Sequence, residues 1–289
     1  MSEDELMDKC GLILEGGALR GLFSAGVMDV MMEEKIRFHS IIGVSAGAAF
    51  GCNYKSWQIG RVLRYNKRFC RDKRYCSWHS WWKTGDLFGA DFCYRQLPDE
   101  LDIFDRETYD RDPANFYLVC TDLATGKAHY QLCNQADEKC YLWMRASASM
   151  PLVSNAVEID GRMYLDGAIA DSVPIKFFEE NVCPKNVVIL TQSAGYRKKP
   201  QKMMWLLKRA LRKYPAVIKT LEKRHENYNQ TMDYLDEQEH AGNIITIRPH
   251  LPLPIDRICH DPQLIQQTYD IGREAALAQI GRIKAFCAQ

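Results

Sequence analysis

The chain has 289 residues, 46% of them hydrophobic and 26% charged, with a formal net charge of +1. That is apolar mass for a substantial core in one large domain or two ordinary ones, and a charge balance that offers nucleic acid no global attraction. No apolar run reaches the length of a membrane span, and the acidic opening MSEDELMDKC lacks the apolar stretch of a secretory signal.

From Cys10 to Glu15, CGLILE reads as a buried strand that runs into Gly16-Gly17-Ala18-Leu19-Arg20-Gly21. LFSAGVMDVMMEE then shows helical spacing at Leu22, Val27, Val30 and Met31. A dinucleotide loop wants glycine where Ala18 stands, and a P-loop wants Lys then Ser or Thr where Leu22 and Phe23 stand, so both phosphate-binding motifs fail. What is left is a run of backbone amides at a helix start, suited to an anion that forms and disappears during a reaction.

Ile41, Ile42 and Val44 mark a second strand, followed by Gly43-Val44-Ser45-Ala46-Gly47 and a small-residue helix. Strand, tight turn and helix form the context of a G-x-S-x-G nucleophile elbow, with Gly43 and Gly47 permitting the turn and Ser45 exposed at its apex. On its own the motif is also satisfied by a strand and a helix that merely pack closely. Two strand-loop-helix units in succession imply parallel pairing, with both loops on the carboxyl edge of the sheet, where ligands bind.

From Asn53 to about Asp112 the pattern loosens, and Trp57, Trp78, Trp81 and Trp82 lie among Arg64, Lys67, Arg68, Arg71, Lys73, Arg74 and Lys83. Such a mixture suits a lipid interface, and equally a solvated basic helix beside a half-buried aromatic cluster. No module for single-stranded nucleic acid accompanies it. FYLVCT and AHYQLC read as strands around the turn DLATG, RASASMPLV as a short helix ended before Pro151, and AVEID and RMYLD as strands joined by Gly161. The last of these delivers Asp166 to a Gly167-Ala168 turn, an acid at a sheet edge. NVVILTQ is a buried strand; residues 197 to 240 are helical, basic at first and divided by Pro215. NIITIRP returns to the sheet, and PQLIQQTYDIGREAALAQIGRIKAF reads as one long covering helix. The eleven cysteines are scattered with no C-x-x-C and no H-E-x-x-H, which suggests reduced thiols and no metal.

In order along the chain, the glycine loop from Glu15 to Gly21, the elbow from Gly43 to Gly47 and Asp166-Gly167-Ala168 together resemble the motifs of the patatin-like phospholipase family. Glu15 stands where the family often has Asp, and Ala18 where it has its third glycine. The resemblance implies an α/β fold, a three-layer α/β/α sandwich with a mostly parallel central sheet. It implies one domain over residues 9–289, with a catalytic core at 9–195, a basic helical insertion at 197–241, and a returning strand and covering helix at 243–289. It further implies a serine-dependent lipid acyl hydrolase of the phospholipase A or lysophospholipase type, with no cofactor and no metal. Ser45 would be the nucleophile and Asp166 the base, with Gly16, Gly17 and Ala18 as the oxyanion hole and Arg20 and Gly21 supporting the loop. The alternatives are an inactive lipid-binding or scaffold protein, a soluble esterase or thioesterase, and a triad enzyme with His260 as its base. Expected partners are a lipid or other acyl ester and, through Trp57, Trp78, Trp81 and Trp82, the inner face of a membrane; the expected location is the cytoplasm, and no nucleic acid is expected.

Overall fold

The structure, a computed structural model, describes residues 10–288. Residues 1–9, which make up the acidic opening up to Cys10, and Gln289 lie outside the described residues. Strand β1 (Cys10–Leu14) leads through the glycine loop into helix α1 (Gly21–Glu33), and β2 (Ser40–Val44) through the elbow into α2 (Ala46–Lys55). Helices α3 (Arg61–Phe69) and α4 (Trp78–Thr84), a π-helix at Phe92–Leu101 and α5 (Arg106–Arg111) precede β3 (Asn115–Asp122) and β4 (Ala128–Leu132). Then come α6 (Glu138–Ser147), β5 (Val157–Ile159), β6 (Arg162–Asp166), α7 (Ile175–Asn181) and β7 (Lys185–Ile189). Helices α8 (Met204–Ala210) and α9 (Pro215–His240), strand β8 (Ile244–Ile247), and helices α10 (Pro262–Leu277) and α11 (Ile280–Cys287) complete the chain.

All the strands join one sheet in the order β5-β6-β3-β2-β1-β7-β8, with β4 also on β3. The central five, β3 to β8 in that order, are parallel; β4 and β6 pair antiparallel with β3, and β5 antiparallel with β6. Alternation along the strands divides the core between two faces. Leu12, Leu14, Ile41 and Phe116 face the layer containing α1, α2 and α10, whereas Ile13, Ile42, Val44 and Val119 face Phe178 of α7 and Tyr228, Met232 and Leu235 of α9. The molecule is therefore the expected three-layer α/β/α sandwich. The long helix of the 197–241 segment forms much of the third layer.

Local departures from the sequence reading have simple causes. The stripe on α1 gives way to burial of every residue from Gly21 to Met32, because the sheet and α10 close on the helix from opposite sides. The helix expected at RASASMPLV starts earlier, at Glu138, where the Asp137 side chain accepts the Cys140 amide at 2.7 Å. The expected covering helix is two, since the chain turns at Ala278 and Gln279 before Ile280 starts α11 and Ile283 enters the core. Cys10 and Cys287 form a disulfide rather than two thiols, while the other cysteines described, such as Cys120 and Cys183, are free.

Helix α10 seats directly on α1. A Cβ at Gly272 would lie 2.0 Å from the Phe23 carbonyl oxygen, so the two helix backbones touch where no side chain fits. Below them Asp29 accepts the Tyr269 hydroxyl at 2.6 Å and the Gly60 amide at 2.9 Å. The Gly272→Ala variant is expected to lose about 1–3 kcal/mol in urea unfolding through forced separation of α1 and α10.

Candidate active site

The elbow is built by close packing and backbone strain. A Cβ at Gly43 would lie 2.5 Å from the Gly47 carbonyl oxygen, and one at Gly47 would lie 2.3 Å from that of Leu14. With both small, the chain turns from β2 into α2 in a single residue, and Ser45 adopts φ 57° and ψ −120°. A residue with a Cβ held there costs of order 1–3 kcal/mol, which the surrounding strands supply. The Ser45 amide donates to Ser147 Oγ at 3.0 Å, and Ser147 Oγ donates to the Val119 carbonyl at 2.7 Å, so helix α6 fixes the apex to β3.

Strand register brings the acid to the same point. Val44 pairs with Val119, and the next residue of β3, Cys120, pairs with Asp166 on β6. Because β4 takes the other edge of β3, β2 and β6 lie on the same edge, so Ser45, next after Val44, meets Asp166 end to end along β3, and Ser45 Oγ donates to Asp166 Oδ2 at 2.7 Å over a sequence separation of 121 residues. The second carboxylate oxygen accepts the Ala168 amide at 2.8 Å, and the Asp166 amide donates to the Ser149 carbonyl. Asp166 is 1% exposed. Burial pushes its carboxyl above the usual range, while the Ser45 and Ala168 hydrogen bonds and the charges of Arg224 and Lys198 oppose the rise.

The glycine loop arches over this pair. Among the described residues the amides of Gly16, Gly17 and Ala18 have no hydrogen-bond acceptor. Ala18 has φ 51°, a left-handed position that glycine takes freely and alanine occupies at a cost of about 1 kcal/mol. A Cβ at Gly16 would press on Ser45 Cβ at 2.8 Å. Gly21 opens α1 against the Phe50 ring. Glu15 is buried and held from three directions: Thr191 donates its amide at 2.6 Å and its hydroxyl at 3.1 Å, and Tyr228 donates its hydroxyl at 2.8 Å. It thus ties the end of β1 to the end of β7 and to α9.

Ser45 and Ala18 lie between two cavities. One, of about 140 Å³, is apolar and lined by residues including Phe50, Tyr65, Phe88, Leu97 and Met144. The other, of about 90 Å³, contains Asp166 and Glu15 with Arg20, Lys198, Arg224 and Arg257. Sequence reasoning had singled out Arg20 but not the other three cations, Thr191, Ser147 or Tyr228, which come from positions with no motif of their own. His260, the alternative base, is bonded to the Cys70 carbonyl through Nδ1, and no histidine lines either cavity.

A mostly parallel α/β sheet with a strained serine turn at its carboxyl edge and an acid in hydrogen-bond reach defines a hydrolase-like fold of the elbow type. The chain belongs to the patatin-like phospholipase family, whose model matches residues 12–178, and at the level of that family it is a lipid acyl hydrolase. A second model, described as a domain of unknown function (DUF6363), matches residues 214–288. The uncharacterized protein YjjU of Escherichia coli is 26% identical, over 95% of this chain and 79% of that protein. The uncharacterized protein YqhO of Bacillus subtilis is 24% identical, over 93% of this chain and 94% of its own. A patatin-like phospholipase domain-containing protein of Caenorhabditis elegans is 24% identical over 57% of this chain and 15% of that protein. VipD from Legionella pneumophila aligns over 92% of this chain and 67% of its own with a TM-score of 0.39 and 13% identity.

The raised carboxyl of Asp166 has a consequence for stability. Below the unfolded value, about 3.9, the acid is neutral in both states. As pH rises through the interval up to the folded value, the unfolded chain releases its proton first and the folded state loses stability. Asp166→Asn is therefore expected to melt a few degrees higher than the parent at pH 7, and the gap should close below about pH 4 in calorimetry.

Proposed function

We propose that the chain hydrolyses the carboxylic ester of a lipid by a Ser45–Asp166 dyad. The observation that carries this is the 2.7 Å hydrogen bond from a serine held at φ 57° to a buried carboxylate. In this reading Asp166 Oδ2 takes the Ser45 proton as Oγ attacks the ester carbonyl, and the amides of Gly17 and Ala18, with Gly16 beside them, hold the oxyanion of the tetrahedral intermediate. Collapse breaks the carbonyl–alkoxy bond, and Asp166 returns the proton to the departing alcohol. A water then gives its proton to Asp166 and attacks the acyl-serine, and the proton returns to Ser45 Oγ as the fatty acid leaves. The apolar cavity beside Ser45 suits the acyl chain. Because Asp166 acts ionised, kcat/KM should fall on acidification with a midpoint above the ordinary carboxylate value of about 3.9.

The test is a fluorophosphonate probe followed by mapping of the adduct. The expected label is on Ser45, with turnover of a p-nitrophenyl ester reduced at least 10³-fold in Ser45→Ala and in Asp166→Asn. A label elsewhere, or full activity in either variant, would refute the dyad. Lipid binding without ester cleavage by the parent protein would favour the scaffold alternative.

We also propose contact with a lipid surface, on a revised set of residues. Trp78 and Trp82 on α4 are 66% and 81% exposed, and Trp205 on α8 is 69% exposed. Helices α4 and α8 meet at the loop through Leu152: Trp81 Nε1 donates to its carbonyl, and its side chain packs on the cluster containing Leu207. That loop also supplies Met150 to one cavity and Ser154 to the other. Lys83, Lys202 and Arg209 stand exposed alongside, cations suited to anionic headgroups. Trp57 is outside this face, since it packs on the core with the Arg37 guanidinium 3.5 Å over its ring. Among the described residues no helix is long and apolar enough to cross a membrane. The double variant Trp82→Ser/Trp205→Ser is expected to bind anionic vesicles about tenfold more weakly in sedimentation while hydrolysing a soluble ester as before. Unchanged vesicle binding would remove the proposal.

A further inference from the structure

We infer that the second cavity beside Ser45 is an oxyanion subsite, built largely by the C-terminal part of the chain, which selects acyl esters whose alcohol carries a phosphate or carboxylate. The inference rests on the reading of Ser45 as nucleophile and adds to it the class of leaving group. Arg20 comes from the glycine loop, but Lys198 follows β7, Arg224 lies on α9 and Arg257 in the loop after β8, all three beyond the residues matched by the patatin-like model. Arg224 and Arg257 belong to the segment matched by the domain of unknown function, which would thereby have a role at the ester.

The charges in this cavity are not cancelled by ordinary pairing. Among the described residues none of the four cations makes a salt bridge. Glu15 is committed to Thr191 and Tyr228, and Asp166 to Ser45 and Ala168. The Arg20 Nε is buried with no hydrogen-bond partner. Arg224 spends its Nε on the Ala168 carbonyl at 2.5 Å, and the Arg257 side chain makes no hydrogen bond among the described residues. Lys198 lies 3.9 Å over the Tyr228 ring and reaches Ser172 Oγ only at 3.5 Å. Converging cations with donors to spare are stable where an anion completes them. Burial and the neighbouring arginines pull the Lys198 ammonium down to about 7, a shift that an oxyanion at its side would reverse. Guanidinium groups offer paired donors and the ammonium a point charge, the combination that recognises phosphate or carboxylate oxygens. With the acyl chain on the apolar side of Ser45, the alcohol side of the ester faces these groups.

Two measurements test this. The first is anion binding, read as phosphate-dependent thermal stabilisation of Ser45→Ala, which needs no turnover. Stabilisation that saturates, and that needs about tenfold more phosphate in Ser45→Ala carrying Arg257→Ala or Lys198→Met, supports the subsite. Absence of stabilisation, or an equal response in these variants, overturns it and leaves the nucleophile assignment intact. The second is selectivity in the enzyme with Ser45 present, comparing lysophosphatidate, an O-acyl hydroxycarboxylate and monoacylglycerol. The preference for one of the two anionic esters over monoacylglycerol should fall about tenfold in Arg257→Ala and in Lys198→Met. An unchanged ratio overturns the inference, and so does stimulation of monoacylglycerol cleavage by free phosphate, which would make the anion an effector instead of part of the substrate. Loss of fluorophosphonate labelling at Ser45 with retained phosphate binding would instead count against the dyad alone.

Discussion

The site depends on the register between β2, β3 and β6. Pairing of Val44 with Val119 and of Cys120 with Asp166 puts the ends of β2 and β6 next to each other along one edge of β3, which brings Ser45 and the carboxylate together. A shift of one residue in either ladder would move a side chain to the opposite face and part them. The 2.7 Å contact is thus a property of the sheet, not of the loops around it. β6 can reach that position because β2 ends at Val44 and β6 takes up the same edge of β3 beyond it in the antiparallel sense, so that its carboxyl end meets the end of β2.

Strain and packing shape the surroundings of this pair. Ser45 and Ala18 both have positive φ, at 57° and 51°, and both line the two cavities. Each is held by its neighbours: Ser45 through Ser147 and β3, and the loop through Glu15, Thr191 and Tyr228. Glutamate in place of aspartate at position 15 is compatible with this, since its carboxylate reaches both the end of β7 and the hydroxyl of α9. The loop amides are backbone groups, so alanine at position 18 keeps the donor and adds only the cost of its Cβ.

The helices after β7 serve the sheet and the site together. Tyr228, Met232 and Leu235 bury one face of α9 on the sheet, while Arg224, one turn earlier, donates its Nε to the Ala168 carbonyl. The polar cavity consequently contains groups from both ends of the chain, and its chemistry contrasts with the apolar cavity on the other side of Ser45.

Much of this was written locally. The strand-loop-helix order around Glu15–Gly21 and Gly43–Gly47, and the strand that ends at Asp166, follow from apolar runs, small residues and turn chemistry within a few positions of each other, because strands and tight turns are specified by near neighbours. The α/β class and the patatin-like resemblance were legible for that reason. Other features were not: the break at Ala278–Gln279, the all-round burial of α1, the pairing of Cys10 with Cys287 and the inward position of Trp57 depend on what packs against them from far along the chain. The sequence alone determined the turns that carry Ser45 and Asp166 and the kind of sheet that holds them. Only the tertiary structure decided that those two side chains meet and that Lys198, Arg224 and Arg257 gather beside them, because strand register and helix packing join residues whose spacing along the chain has no period to reveal it.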